Sequence, residues 1–422
     1  MRVGKIGVDL GFSIGIEAGN KLLGFVVLTL LARYLSQDDF GLLMFALATC
    51  GLLVLPTELG TSRLLTRKIA AGADRPVGEI GQTLGLRLVL LLGYGLIVVL
   101  WAMVAEPTAR AAILVCGLFV GLRSLHSTAS AAFVGIRRPV YNGPGFLGSL
   151  VVLTLGVLAV THADGGLDAV FLCYLVSAVW LTVVDQYFVR RTFGPLRPAW
   201  PSDVVGLVRA AAPFFGITML ELVHFRIDAA MIGTIRSYSE VATYETSARL
   251  YEASQAITRP LMLVFFPICA QYAARRDWPR LRGLTLRLAA GAALAGVALA
   301  ALVIATAPLI VTTVFGSAYL PSAEVLRVHF AGVPALLLCV IATFVLAALH
   351  REGLVWRVLA AGVGLNVVLN AALIPDMGAL GAAWATLVSQ IVIALGLWHL
   401  VRTGLRQAAP PPGRPALAGV ES

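Results

Sequence analysis

Charged residues are scarce in this sequence. Only 13% of its 422 residues are Asp, Glu, Lys or Arg, whereas 59% are hydrophobic. Soluble domains usually carry about 25% charged residues, so a chain this poor in charge cannot cover a globular surface with polar groups. The composition excludes a soluble fold and predicts a protein whose solvent is the lipid bilayer.

The sequence also lacks motifs that carry enzymatic chemistry. It has no phosphate-binding Walker loop, no closely spaced metal-ligand cluster and no nucleophile elbow. The cysteines stand in apolar stretches without short spacing, which indicates packing residues rather than a disulfide or metal framework: Cys50, Cys116, Cys173, Cys269 and Cys339. We therefore expect no enzymatic activity, cofactor or metal. Without a basic polar domain, we also expect no nucleic-acid binding.

Long apolar stretches are abundant instead. A bilayer core of about 30 Å needs about 20 apolar residues per helix. The basic first residues resemble the start of a signal peptide, but no clean cleavage site follows, so we expect an uncleaved first helix. Twelve candidate helices lie near 8–33, 40–66, 81–105, 110–135, 142–162, 167–190, 206–234, 240–272, 284–314, 322–349, 354–374 and 379–402.

The charges in the loops test this assignment of twelve helices. With a cytoplasmic N-terminus, the outer loops hold only Arg110 and Arg236 as basic residues. The inner loops and the tail hold Arg67, Lys68, Arg75, Arg137, Arg138, Arg190, Arg191, Arg197, Arg275, Arg276, Arg280, Arg282, Arg351, Arg357, Arg402, Arg406 and Arg414. A wrong helix count would invert this alternation. The positive-inside rule thus predicts twelve helices with both termini in the cytoplasm.

A proline-containing connector near the midpoint suggests two halves. Ser36 and the residues after it resemble the stretch from Ser237, at the same position of the second half, which supports this boundary. Six helices in each half give both halves the same orientation, as in parallel-repeat transporters. The predicted parts are an N-lobe over 1–195, a cytoplasmic linker over 196–205, a C-lobe over 206–405 and a disordered cytoplasmic tail over 406–422.

Ionisable residues within the predicted helices are costly in lipid and indicate function by default. They concentrate in the first, second, seventh and eighth helices, whereas the third, fifth, ninth, eleventh and twelfth are cleaner. Three sets each share one helix face: Glu17 with Lys21; Glu221 with His224 and Asp228; and Glu245 with Arg249 and Glu252.

Two interpretations of these faces stay open. They can line a polar cavity, or pairs such as Glu17–Lys21 and Glu245–Arg249 can neutralise each other and lock helices together. In the second helix, Glu58 and Arg63 follow Pro56, and Arg63 lies near enough to the inner surface to snorkel. In the fourth helix, Arg123 is accompanied by His126, which alone is interpreted as a packing residue.

Several motifs resemble one family. A pattern N-x3-N-x3-IP-x2-G-x2-GAA-x-AT begins at Asn366. A second stretch runs from Arg226 to Gly233 and continues through Tyr244 to Arg249. Further matches lie at Ala32–Ser36, Phe40–Gly41, Leu59–Gly60, Arg67–Ala70 and Phe315–Tyr319. The sequence thus resembles, over nearly its whole length, the polysaccharide exporters of the multidrug/oligosaccharidyl-lipid/polysaccharide (MOP) superfamily.

The resemblance implies an all-α membrane protein with two six-helix lobes in a V around a cavity. It implies alternating access that flips an undecaprenyl-diphosphate-linked oligosaccharide, for surface polysaccharides such as O-antigen, across the bacterial inner membrane. Membrane lipids are expected partners, as are a polysaccharide polymerase and glycosyltransferases. An ion-coupled multidrug antiporter, a lipid II flippase (usually with two further helices) and a non-transporting scaffold remain alternatives.

Under this resemblance, cationic side chains bind the substrate diphosphate, which suits arginine in particular. The candidates are Lys21, Arg33, Arg63, Arg123, Arg226, Arg249 and Arg259. The acidic residues either position these cations or bind a coupling ion, and His224 beside Asp228 is a candidate proton site. The ion-coupling candidates are Glu17, Glu58, Glu221, His224, Asp228, Glu245 and Glu252.

Overall fold

The structure is a computed structural model and describes residues 3–72, 76–255 and 258–408. Within these ranges it is helical and contains no strand, which confirms the predicted all-α class. Eight of the described helical segments are long and apolar enough to cross a membrane. One of them, Glu352–Ala408, holds two helices joined at Gly378. The chain is a multi-pass membrane protein.

Fourteen helical segments are described, and they correspond to the twelve predicted helices. The first seven are α1 (Val3–Tyr34), α2 (Gln37–Leu53), α3 (Thr61–Ala70), α4 (Pro76–Val104), α5 (Pro107–Gly135), α6 (Asn142–His162) and α7 (Leu167–Phe193). The remainder are α8 (Val204–Ile235), α9 (Tyr238–Ser254), α10 (Thr258–Ala274), α11 (Trp278–Phe315), α12 (Ser322–Ala331), α13 (Val333–Ala348) and α14 (Glu352–Ala408). The predicted orientation of the termini stays a prediction, and 409–422, most of the predicted disordered tail, lies outside the described residues.

The stretch predicted as one helix over 40–66 is interrupted. After α2, a 3-10 turn covers Leu55–Thr57, and α3 begins after Gly60, whose φ of 71° is left-handed. Gly adopts this conformation without steric cost. A Cβ at Gly60 would also lie 2.5 Å from the backbone of α8, at the carbonyl oxygen of Ala211. Backbone conformation and close helix approach therefore both require glycine here.

The predicted helix over 322–349 is likewise divided, into α12 and α13. Gly332 ends α12, and α13 starts at once with Pro334 in its first turn. Proline has no N–H to donate and suits the first turn of a helix. The predicted helix over 240–272 corresponds to α9 and α10, and residues 256 and 257 between them lie outside the described part.

Helices α2 and α9 begin in the same way. The Ser36 hydroxyl accepts a hydrogen bond from the Asp39 N–H at 3.1 Å, and the Ser237 hydroxyl accepts one from the Glu240 N–H at 3.4 Å. A serine followed three residues later by an acidic residue is a helix-start pattern. The similarity seen in the sequence is therefore a repeated helix cap.

Contacts divide the chain into two compact units. Unit 1 comprises Met1–Thr246 with Thr312–Leu320, and unit 2 comprises Ser247–Val311 with Pro321–Ser422. In unit 1, α5 packs against α2, α3, α4 and α7, while α8 packs against α2 and α3. In unit 2, α13 packs against α10 and α14 around a core that includes Cys269, Leu281, Ala342, Val345 and Leu397. The lobe bounds proposed from the sequence remain a prediction.

The connector between α7 and α8 is attached to α4. The Ala199 N–H donates to the Gly81 carbonyl at 3.0 Å. A Cβ on Gly85, one turn later in α4, would lie 2.1 Å from the Ala199 carbonyl oxygen. The two glycines therefore form a groove along α4 that holds the connector backbone.

Candidate functional site

Polar side chains of α8 and α9 meet inside unit 1. Asp228 is only 3% exposed and accepts a hydrogen bond from the Tyr244 hydroxyl at 2.5 Å. Glu245 is 2% exposed, and its Oε1 lies 3.9 Å from Nη1 of Arg226. The structure thus brings together the predicted residues Arg226, Asp228 and Glu245, and adds Tyr244 as a hydrogen-bond donor.

His224 belongs to the same group. It lies one helical turn before Asp228 on α8 and interacts electrostatically with it. Burial of a carboxylate without a donor or cation would cost several kcal/mol, so the contacts with Tyr244 and Arg226 stabilise the buried side chains of Asp228 and Glu245. The arrangement can hold a proton or a cation among its acidic groups, or orient Arg226.

In unit 2, Arg249 and Glu252 form an ion pair. Arg249 Nη1 donates to Glu252 Oε2 at 2.8 Å, and both side chains are partly buried. The side chains of three further candidates, Glu17, Glu221 and Arg259, lie outside the described residues.

Arg123 of α5 lies among aromatic rings. Its guanidinium carbon lies 5.4 Å from the ring centroid of Phe119 and 4.9 Å from that of Phe146 in α6. Cations within about 6 Å of an aromatic centroid are attracted by the ring quadrupole. These rings pack against the guanidinium within the bundle of α5, α6 and α7, where it also interacts electrostatically with Asp185 and Tyr174.

The remaining cationic candidates lie elsewhere in unit 1. Lys21 of α1 and Arg63 of α3 are exposed. Arg33 donates through Nε to the Val314 carbonyl at 2.8 Å and through Nη2 to the Thr313 carbonyl. Its charge thus lies at the last turn of α11, where the helix dipole favours a cation. This contact gives Arg33 a structural role, while its predicted role in substrate binding stays a prediction.

The structure reveals a buried cation that the sequence analysis did not single out. Arg87 of α4 is only 1% exposed, and its Nη1 donates to the Ser124 carbonyl at 2.8 Å and to the Ser127 hydroxyl. Its Nη2 donates to the Ser62 hydroxyl at 3.0 Å and lies 3.9 Å from Oε1 of Glu58. Glu58 therefore belongs to a network that joins α3, α4 and α5 at the break after α2. The third predicted helix, which is cleaner in sequence than the first, second, seventh and eighth, thus carries one deeply buried cation.

His126 is more than the packing residue that the sequence indicated. Its Nδ1 lies 2.6 Å from Oδ2 of Asp185 in α7. Its ring stacks on Phe146, with centroids 5.1 Å apart. Asp185 is near the charged end of α7, where a carboxylate is expected at the membrane surface, so its sequence position gave no signal of this buried contact.

The C-terminal sequence motif forms a buried contact in unit 2. Asn366, which is 0% exposed, donates to the Thr386 hydroxyl at 3.4 Å, and Asn370 donates to Asn366 Oδ1 at 3.1 Å. The bond from Asn366 to Thr386 bridges the two helices of α14, which meet at Gly378 with φ 56°, and the bond from Asn370 lies within the first of these helices and holds Asn366. The motif thus stabilises the junction of the last two helices.

Comparisons with known proteins agree with the resemblance inferred from the sequence. A family model described as "Polysaccharide biosynthesis protein" matches residues 9–273. The "Probable low-salt glycan biosynthesis flippase Agl15" of Haloferax volcanii is 24% identical over 393 residues, covering 87% of this chain and 77% of that protein.

Solved structures are similar over most of the chain. The lipid II flippase MurJ in its inward closed conformation has a TM-score of 0.74 and 11% identity, covering 94% of this chain and 90% of MurJ. An inward-facing MATE family multidrug resistance transporter of the MOP superfamily has a TM-score of 0.66 and 14% identity, covering 92% of this chain and 95% of the transporter. These structures establish the MOP fold and confirm the fold class predicted from the sequence.

Proposed function

Because this chain belongs to the polysaccharide biosynthesis protein family and is a membrane transporter with the MOP fold, we propose that it flips a lipid-linked oligosaccharide across the cell membrane. The observation that carries this proposal is the family match over 9–273. The matched range therefore contains residues 9–246 of unit 1. The name of the haloarchaeal relative, a glycan biosynthesis flippase, supports the same substrate class.

The charges of unit 1 support an anionic lipid-linked substrate. Lys21 is exposed in the middle part of α1, and the Arg226 side chain is 29% exposed within α8. A cation at the bilayer centre costs about 2.5–3.5 kcal/mol or more in lipid, so these side chains fit a hydrated lumen. Arg123, positioned over two rings, is suited to a diphosphate oxygen.

In this proposal the diphosphate contacts cationic side chains, the sugars occupy the hydrated lumen and the prenyl tail stays in lipid. The carrier is undecaprenyl diphosphate in a bacterial inner membrane. A polymerase and glycosyltransferases would consume and supply the flipped molecule. The driving force is an ion gradient or the membrane potential, and alternating access exposes the substrate to each face in turn.

Proteoliposomes containing a fluorescent lipid-diphosphate oligosaccharide test the proposal. We expect reconstituted protein to move the probe between leaflets, and Arg123→Gln to slow this movement by about 10–100-fold, because hydrogen bonds to charged groups contribute about 1.5–3 kcal/mol. Arg110→Gln is the matched control, since Arg110 is exposed and contacts only the nearby Ala105 carbonyl at 3.3 Å among its described hydrogen bonds.

Other outcomes would favour the alternatives. Movement of lipid II alone would indicate a lipid II flippase, and uptake of cationic dyes without movement of the oligosaccharide probe would indicate a drug antiporter. Protein that is folded but moves neither probe would support the scaffold interpretation. Equal flipping by Arg123→Gln and wild type would refute the assignment of Arg123 while leaving the flippase proposal intact.

A further inference from the structure

A histidine and a carboxylate are paired inside the helical bundle of unit 1. His126 Nδ1 and Asp185 Oδ2 are 2.6 Å apart, with side-chain exposures of 16% and 6%. Both residues lie within candidate membrane spans. Histidine is the side chain whose ordinary titration falls near neutral pH, so this pair differs from the permanently charged arginine contacts elsewhere in the unit.

The second carboxylate oxygen of Asp185 remains available. Asp185 Oδ1 is buried and has no hydrogen-bond partner among the described residues. It lies next to Gly145 of α6, where a Cβ would come within 2.4 Å of it. An unpaired buried carboxylate oxygen costs free energy, and protonation of this oxygen or contact with a water would satisfy it. Gly145 leaves the space that this oxygen occupies.

A small cavity adjoins the pair. It has a volume of about 20 Å³ and is lined by both His126 and Asp185, together with Thr128, Thr182 and Gln186. A site needs about 10–15 Å³ and two to four polar partners to hold one water. The cavity meets both conditions, so a water can carry a proton to or from the pair.

The charged surroundings limit what the pair can hold. On α5, Arg123 interacts electrostatically with Asp185 and with Tyr174 of α7. On α4, Arg87 donates to the Ser124 carbonyl of α5 and is accompanied by Glu58, whose Oε1 lies 3.9 Å from Arg87 Nη2. From α6, the described contacts are the Phe146 ring and Gly145, which carry no charge. Among the described contacts, one carboxylate, Asp185, thus acts directly on His126, and one cation, Arg123, acts on that carboxylate.

We propose that His126 and Asp185 form a proton-binding site whose occupancy is linked to the transport step. This inference rests on the proposed flippase function. In the state with fewer protons, neutral His126 donates its Nδ1–H to the Asp185 carboxylate. One proton from the aqueous phase, relayed by the cavity water, which gives up one proton and takes up another, adds to the pair and gives an imidazolium–carboxylate or the equivalent imidazole–carboxylic acid. Its release to the aqueous phase restores the first state. Arg123 balances the carboxylate charge in the first state, and the added proton gives the group of three side chains one net positive charge.

A binding site of this kind predicts a titration that needs no substrate. NMR of histidine-labelled protein in detergent should show one imidazole signal that responds to pH and is absent from His126→Gln. Asp185→Asn should change the response of this signal to pH, because the neighbouring carboxylate charge is lost. A His126 signal that does not titrate between pH 5 and 9 would overturn the proposal.

Transport provides the second test. In proteoliposomes, a gradient of about one pH unit changes the equilibrium constant of a one-proton step by about tenfold. We expect such a gradient to stimulate flipping by wild type and by His162→Gln, a control in which an exposed histidine at the end of α6 is replaced. The His126→Gln variant should flip the oligosaccharide probe at the same rate with and without the gradient.

The double variant His126→Gln/Asp185→Asn separates titration from folding. Its two amides can keep a hydrogen bond at this position, but neither titrates. We expect it to fold, to flip without a gradient and to lose the stimulation. Full stimulation in the double variant, or in His126→Gln, would refute the link to transport. If wild type moves no oligosaccharide probe at all, the flippase proposal fails, and the NMR titration still decides whether the pair binds a proton.

Discussion

The α-carbon of Gly41 in α2 lies against the backbone of Tyr238 at the start of α9. A Cβ on Gly41 would come within 1.7 Å of the Tyr238 carbonyl oxygen. The neighbouring Phe45 ring packs against Tyr238, with centroids 5.4 Å apart, and a Cβ on Gly233 of α8 would lie 2.2 Å from the Phe45 ring. Small residues and one aromatic ring thus set how closely α2 approaches α8 and the start of α9.

Gly41→Ala should destabilise the protein. The clashing atoms belong to the backbone, so they cannot rotate away, and overpacking of this kind costs typically about 1–3 kcal/mol. Gly51→Ala in the same helix is the matched control, because a Cβ there meets nothing within 4 Å. We expect thermal unfolding in detergent at a lower temperature for Gly41→Ala and at an unchanged or higher one for Gly51→Ala. Equal midpoints would contradict the close contact.

Arg87→Gln should also destabilise unit 1. The substitution removes a buried cation that donates to Ser124 and Ser62 and leaves Glu58 without the cation 3.9 Å away. Breaking a buried charge network by removing one partner costs about 3–5 kcal/mol. Thermal unfolding in detergent measures the loss, with the exposed Arg110→Gln as control. A variant as stable as the control would mean that the network contributes little.

The sequence predicted the helices well because their signal is local. Apolar length locates a membrane helix, and the described helices match the twelve predicted stretches to within a few residues. The interruptions were less predictable. The one after Leu53 follows from Pro56 and from the left-handed φ of Gly60. That Gly60 must be glycine because α8 approaches it closely can be seen only once the position of α8 is known.

The site was less predictable because burial of a charge depends on distant residues. Arg87 is a single charge near the start of an apolar helix, and its partners Ser62 and Ser124 lie in other helices. Asp185 stands five residues before Arg190, which made it resemble a membrane-surface carboxylate. Helical spacing placed His224 and Asp228 on one face of α8, and the two interact electrostatically. It gave no indication that Arg226 and Asp228 have partners on α9.

Gly85→Ala should release the connector between α7 and α8. The new Cβ would lie 2.1 Å from the Ala199 carbonyl oxygen, which displaces the segment that the Ala199 N–H anchors to Gly81 at 3.0 Å. Hydrogen exchange of the Ala199 amide should therefore become faster in the variant, since exchange follows local opening. Gly93→Ala, also in α4 but with nothing within 4 Å of its Cβ, should leave it unchanged. Equal protection in both variants would refute the anchoring.

A pair of substitutions separates the structural from the functional role of Asp228. Tyr244→Phe removes the hydroxyl that donates to Asp228 at 2.5 Å, and the loss of a hydrogen bond to a charged group costs about 1.5–3 kcal/mol. We expect this variant to unfold at a lower temperature. Asp228→Asn keeps an acceptor for Tyr244 but removes the charge, so it should stay close to wild-type stability and lose ion-driven flipping if Asp228 binds the coupling ion. Asp228→Asn with full ion-driven flipping would remove Asp228 from the coupling candidates and leave it as a structural partner of Tyr244.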